Sequence, residues 1–99
     1  MSTSGIEVRD SPESNRFEVE VDGHMAIAEY TITSDAIMFR HTGVPAALEG
    51  RGIGSALVKA GLQAARDRGL KVIPVCPFVS AYMKKHPETQ DLLHPDYPI

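Results

Sequence analysis

A chain of 99 residues, 42% of them hydrophobic, is sized for one domain with one core and little stability to spare. No apolar run is long enough to cross a bilayer, and Met1 to Arg9 lacks the basic-then-apolar pattern of a signal peptide, so neither a membrane partner nor export is expected and the location read is cytoplasmic. A formal charge of -3 argues against direct nucleic-acid binding, and the single cysteine, Cys76, excludes an internal disulfide and is too little thiolate for a structural zinc site.

The charge is unevenly spread, at -6 over residues 1–50 and +3 over residues 51–99. Two ordinary solvated faces give this pattern, and so does a basic side that meets phosphates beside an acidic side that meets an amine.

Residues 1–14 read as a flexible or edge-strand N-terminus, with Ile6-Glu7-Val8 as its candidate strand. Arg16 to Val21 alternates strictly, placing Phe17, Val19 and Val21 on one face. Asp22-Gly23 suits a tight two-residue hairpin turn, and the return strand is His24 to Ile32. Both faces of that strand are mostly apolar, which predicts a central strand covered on both sides. A third strand runs from Ala36 to His41 and ends near Thr42-Gly43.

Three alternating glycines, Gly50, Gly52 and Gly54, lead into a helix over Ser55 to Arg68. Ile53, Leu57, Gly61 or Leu62, and Ala65 form its inner face, while Ser55, Lys59, Gln63 and Arg66 point away. Gly69 is the expected C-cap. Lys71 to Cys76 is a strand in which Pro74 cannot donate to a ladder, so the strand lies at an edge or parts from its neighbour there. A second helix spans Phe78 to Lys85, with Pro77 in its first turn, and a short helical turn is expected around Thr89 to Leu93. The order predicts an α/β or α+β single domain with one sheet and flanking helices.

Glu49-Gly50-Arg51-Gly52-Ile53-Gly54-Ser55 is the most informative segment. Alternating glycines let the backbone close around an anion, and the helix that follows presents unpaired N–H groups suited to a pyrophosphate. It is neither a P-loop, since no Gly-Lys-Ser/Thr follows, nor a convincing dinucleotide fingerprint, since the preceding half is antiparallel. A tight strand-to-helix corner is the alternative reading.

His41-Thr42 with Val44-Pro45, Leu48 through Val58, Gly69 through Phe78, and Tyr82 with His86-Pro87-Glu88 together resemble the compact YjdJ-like group of the acyl-CoA N-acyltransferase superfamily. The resemblance spans about residues 15 to 95. It implies a mixed, mostly antiparallel sheet whose strands around 36–43 and 71–76 splay apart to admit the pantetheine arm of acetyl-CoA. It also implies a coenzyme A pyrophosphate cradle, matched here by Glu49, Gly52 and Gly54. Glu49 departs from the usual Gln or Arg. Ionised, it cannot donate and repels phosphate, so it is expected to point away or accept a neighbour's donor, leaving Arg51, Gly52, Ile53, Gly54 and Ser55 as the cradle.

Transfer of an acetyl group to an amine needs a neutral amine, a positioned carbonyl, stabilised negative charge and a proton for the leaving sulfur. Cys76, between a strand and a helix, is a nucleophile, a lining residue of the thioester pocket, or a buried filler. Tyr82 matches the tyrosine that in many relatives protonates the sulfur, and a packed helix tyrosine is its plainer role. His41 at a strand end is a candidate base or a loop-orienting group. His86 either caps the second helix or meets the 3′-phosphate side of the cofactor. Glu29 is a candidate base if it reaches the groove. Backbone N–H groups around Val44 to Leu48 are expected to stabilise the acetyl oxygen, and no metal site is expected.

The function these readings favour is acetyl-CoA-dependent N-acetylation of a primary amine, such as a lysine or a protein N-terminus, by direct transfer. A non-catalytic acyl-CoA-binding module and a protein-interaction adaptor are the alternatives.

Overall fold

The strict alternation of residues 16–21, followed by a turn-forming Asp-Gly pair, builds a hairpin. In the computed structural model, which describes residues 6–99, it comprises β2 (Arg16–Val21) and β3 (His24–Ile32). Asp22 and Gly23 both have positive φ, 52° and 78°, the backbone that a tight two-residue turn requires. β1 (Arg9–Ser11) pairs with β2, and β4 (Ala36–Gly43) pairs with β3, all antiparallel. The helix α1 (Ile53–Asp67) then crosses back to β5 (Lys71–Pro74), which is therefore parallel to β4. The result is a mixed α/β fold on one five-stranded, mostly antiparallel sheet in the order β1-β2-β3-β4-β5.

The edge strand is Arg9–Ser11, three residues later than the Ile6-Glu7-Val8 candidate, because Ile6 and Val8 pack against the core instead. Residues 1–5 of the expected N-terminal segment lie outside the described residues.

Phe17, Val19, Ala26, Ala28, Tyr30, Ile37, Phe39 and Val72 form the inner face of the sheet, and α1 covers it with Ile53, Leu57, Val58, Leu62 and Ala65. The expected outer residues Ser55, Lys59, Gln63 and Arg66 are all exposed. α2 (Pro77–Lys85) adds Val79 and Met83 to the same core, and a 3-10 turn over Pro87–Leu92 adds Leu92.

β3 is central in its hydrogen bonding but is not covered on both sides. Its outer residues Met25, Ile27 and Glu29 are exposed or half-buried. Apolar residues on both faces of a strand were over-read as double burial; a half-solvated antiparallel strand tolerates them.

β4 and β5 stay in register only from Ala36↔Lys71 to Phe39↔Pro74. β5 ends at Pro74, earlier than the Cys76 boundary read from sequence, while β4 runs on to Gly43. One link remains past the proline, the Cys76 N–H donating to the Phe39 carbonyl at 2.9 Å. Beyond it the strands part, and among the described residues the edge of β4 over residues 40–43 has no strand partner on that side. The missing N–H of Pro74 thus falls where the ladder stops.

Candidate active site

α1 begins at the mouth of this divergence. Its N-cap is Gly52 at φ 76°, a left-handed conformation that glycine adopts without the steric penalty of a Cβ. The first bond of the helix runs from the Ala56 N–H to the Gly52 carbonyl, 3.0 Å. The N–H groups of Ile53, Gly54 and Ser55 therefore have no partner within the helix, and among the described residues neither a capping side chain nor an acidic residue in the first turn takes them up. They border a cleft of about 340 Å³ lined by Thr42, Val44, Leu48, Gly52, Gly54 and Phe78, among others.

Phe78, in the first turn of α2, forms the opposite wall. It is 44% exposed, and its ring packs on Gly54 where no Cβ intervenes. Glu49 sits on the rim, exposed and without an ion pair among the described residues, rather than held by a neighbouring donor. Arg51 is drawn off to the hairpin turn, its Nη1 donating to Asp22 Oδ2 at 2.8 Å.

Cys76 is the N-cap of α2 and only 4% exposed. Its Sγ lies 3.6 Å from Thr42 Oγ1. Burial pushes the thiol up, but the hydrogen bond it shares with the Thr42 hydroxyl and those with the backbone of Val79, Phe78 and Thr42 outweigh it, and the thiol lies below its ordinary value. Thr42 joins the two features, since it contacts Cys76 and also lines the cleft.

The other candidates lie apart from this pair. Tyr82, one turn beyond Phe78 along α2, stacks on His86 with centroids 4.1 Å apart. Together with Ser55, Phe78, Ala81 and Lys85 these two rings line a neighbouring cavity of about 210 Å³ that does not include Thr42. Burial, then the charge of Glu88, raises the Tyr82 phenol above its usual value. His86 also serves as the C-cap of α2 and pairs with Glu88 at 3.3 Å.

His41 stands on the opposite face of β4 from Cys76. A bulge after its neighbour Phe39 sets Glu29 opposite His41 and Ala28 opposite Thr42, so consecutive side chains point to opposite faces. Among the backbone donors of Val44 to Leu48 expected near the acetyl oxygen, that of Leu48 is already spent on the Pro45 carbonyl.

Sequence reasoning did not find the partnership of Thr42 with Cys76 or the seat of Phe78 on Gly54. Strict alternation along β4 would set Thr42 on the face away from Phe39; the bulge between Phe39 and His41 returns it to the core face, where it meets Cys76. Among the described residues no cluster of three His, Cys, Asp or Glu side chains is placed to hold a metal ion.

A sheet that splays between two parallel strands, with a glycine-capped helix presenting free amides at the opening, defines the acyl-CoA N-acyltransferase class of fold. Residues 16–92 match the GCN5-related N-acetyl-transferase family, and the chain belongs to it. It is 33% identical over 92 residues to Protein NATD1 of Gallus gallus, an alignment covering 90% of this chain and 84% of that one. Protein NATD1 of Homo sapiens is 32% identical over 90 residues, covering 88% and 80% respectively. The solution NMR structure of a GCN5-like protein from Staphylococcus aureus superposes with a TM-score of 0.71 at 31% identity, covering 92% of this chain and 90% of that chain.

Proposed function

We propose that the protein transfers an acetyl group from acetyl-CoA to a primary amine, as a compact member of its family working in the cytoplasm. The observation that carries this reading is the set of amides of Ile53, Gly54 and Ser55, unpartnered among the described residues, beside a cleft that reaches Thr42, the residue that meets buried Cys76 behind it. These donors fit a pyrophosphate: they converge on one opening, and the glycine N-cap leaves the approach clear of side chains. Acetyl-CoA, bound there, supplies an activated acetyl carbon on a thiol leaving group.

The chain's own residues then divide the proton work across the splay. On the open face His41 takes the proton released by the amine as its nitrogen lone pair forms the C–N bond. On the helix face the Cys76 thiol gives its proton to the sulfur that departs with the C–S electron pair. Thr42 and the first-turn amides of α2 stabilise the Cys76 thiolate left behind until solvent reprotonates it. Tyr82, His86, Lys85 and Lys59 are assigned to the nucleotide end, a position that leaves Tyr82 a wall residue rather than the acid at sulfur.

The lowered thiol of Cys76 also favours a second reading, in which Sγ accepts the acetyl group and passes it to the amine. Intact-protein mass spectrometry with isotope-labelled acetyl-CoA separates the two. Label on a peptide amine with no protein adduct is the outcome expected for direct transfer. An adduct that disappears in Cys76→Ala and chases to the amine means relay through Cys76, and absence of coenzyme A binding by calorimetry overturns both.

A further inference from the structure

At the end of the strand order away from the splay, part of the edge of β2 is left open. β1 pairs with β2 only from Arg9↔Glu18 to Ser11↔Arg16, whereas β2 runs on to Val21. The Tyr30 N–H donates to the Asn15 carbonyl at 2.9 Å, and the β2–β3 register is unbroken from Arg16↔Glu29 to Val21↔His24. Alternation therefore turns the backbone N–H and carbonyl of Phe17, Val19 and Val21 toward β3, and those of Arg16, Glu18 and Glu20 toward the side of β1. Arg16 and Glu18 meet β1 there. Glu20 does not, and among the described residues no backbone group bonds to it from that side. A cavity of about 560 Å³ stands in that place, lined by Glu7, Val8, Arg9, Glu18, Val19 and Glu20.

The chain's own segment is kept out of this place by charge. Two more residues of the β1 register would set Val8 opposite Val19 and Glu7 opposite Glu20. The first pair suits a sheet, but the second puts like charges face to face, which is destabilising. The neighbouring arginines do not relieve it, because Arg9 and Arg16 both donate to Glu18, and among the described residues Glu7 and Glu20 make no ion pair. Residues 6–8 leave the sheet instead. Ile6 and Val8 line a groove on the flank of α1 with Ala56 and Ala60, and the edge of β2 stays unzipped.

We infer that this open edge docks an extended segment of a partner protein that carries a lysine or arginine opposite Glu20. An unpaired strand edge is a template for another chain, and the segment adds to it by accepting the Glu20 N–H and donating to the Glu20 carbonyl. Its cation lies between the carboxylates of Glu20 and Glu7, where the chain's own Glu7 is repelled. Its next side chain, on the opposite face, is apolar and meets Val8 and Val19. The corresponding segment of a second copy fails as the chain's own does, since it brings Glu7 opposite Glu20. The docking edge shares no lining residue with the acetyl-transfer cleft, so a partner held here leaves that cleft open.

The test is a backbone-amide NMR titration of the full chain with the peptide acetyl-Thr-Val-Lys-Val-Thr-amide and, as its charge-reversed match, acetyl-Thr-Val-Glu-Val-Thr-amide. The lysine peptide is expected to shift Val19, Glu20 and Val21 and to slow hydrogen exchange at the Glu20 N–H, and the glutamate peptide to do neither. Glu20→Gln should weaken the lysine peptide about threefold to fivefold, the worth of one cross-strand charge pair. Glu7→Lys supplies the cation from the chain itself. Residues 6–8 should then zip onto β2, protect the Glu20 N–H with no peptide present and shut the peptide out. Shifts confined to β1 or to residues 40–43 of β4, equal binding of the two peptides, or a Glu20 N–H that stays unprotected in Glu7→Lys overturn the inference.

Discussion

The ring of Phe78 lies so close over Gly54 that a Cβ on residue 54 would fall 2.8 Å from its Cζ. Gly61, two turns on, stands in the same relation to Phe39, with Cε1 and Cζ both 2.8 Å from the added atom. The two contacts differ in what can give way. Phe78 is 44% exposed and can swing outward, whereas Phe39 is 1% exposed and fixed among Phe17 and Tyr30. Overpacking a fixed core costs about 1–3 kcal/mol, against a gain of about 1 kcal/mol for replacing glycine by alanine in a helix. Gly61→Ala should therefore lose about 1 kcal/mol net in urea unfolding. Gly54→Ala should stay within about 0.5 kcal/mol of the parent yet bind coenzyme A more weakly, because the displaced ring opens the cleft. Equal stability losses in the two variants would refute the argument.

Tyr30 ties part of the fold's stability to alkaline pH. Burial, then a 2.6 Å hydrogen bond to Asp10 and the charge of that carboxylate, pushes its phenol up to about 12. An unfolded tyrosine ionises near 10. The folded state thus holds the proton more tightly, and the stabilisation is complete below about pH 10 and is lost as pH rises toward about 12. Tyr30→Phe keeps the ring contact with Phe17 and removes the hydroxyl. It should cost about 1 kcal/mol at pH 7 and show a shallower decline than the parent between about pH 10 and 12, read from urea midpoints across that range.

These residues also show how much the chain disclosed in advance. The alternation of Phe17, Val19 and Val21, the Asp22-Gly23 turn and the helical spacing from Ile53 to Ala65 are local signals, and the elements they mark form with boundaries shifted by a few residues. Pro74 marked where two strands part, because a missing N–H is a local fact with a topological consequence. Register is not local. The bulge after Phe39 decides that Thr42 meets Cys76 while His41 meets Glu29, and no spacing in the chain encodes it. Long-range side-chain pairing was equally hidden, so Arg51 read as a phosphate ligand although its guanidinium rests on Asp22.

That pairing yields a prediction about anion affinity. Asp22 and Arg51 are both largely exposed, and such pairs are worth roughly 0.2–1 kcal/mol. Asp22→Asn releases the guanidinium to the glycine cradle and removes a nearby negative charge. Coenzyme A affinity should rise by up to about fivefold, with the gain fading as salt is added. Arg51→Ala should abolish the effect of Asp22→Asn in the double variant. Additive changes, measured by calorimetry at low and high salt, would mean that the two residues act independently.

The last prediction concerns the thiol. Thr42→Val preserves the shape of the residue beside Cys76 and deletes the hydroxyl, the largest of the groups that lower its pKa, while burial continues to push it up. The thiol should therefore titrate at higher pH in Thr42→Val than in the parent, and Thr42→Ser should restore the parent value; the ¹³Cβ shift of Cys76 reports each directly. Stability must follow the same sign. A thiol held below its unfolded value contributes stability above the unfolded thiol pKa of about 8.5, and that contribution is lost as pH falls through the folded value. The stability gap between parent and Thr42→Val should accordingly widen from neutral pH into the alkaline range. Coincident titration curves would remove Thr42 from the chemistry of Cys76 and leave the helix amides alone to explain the thiolate.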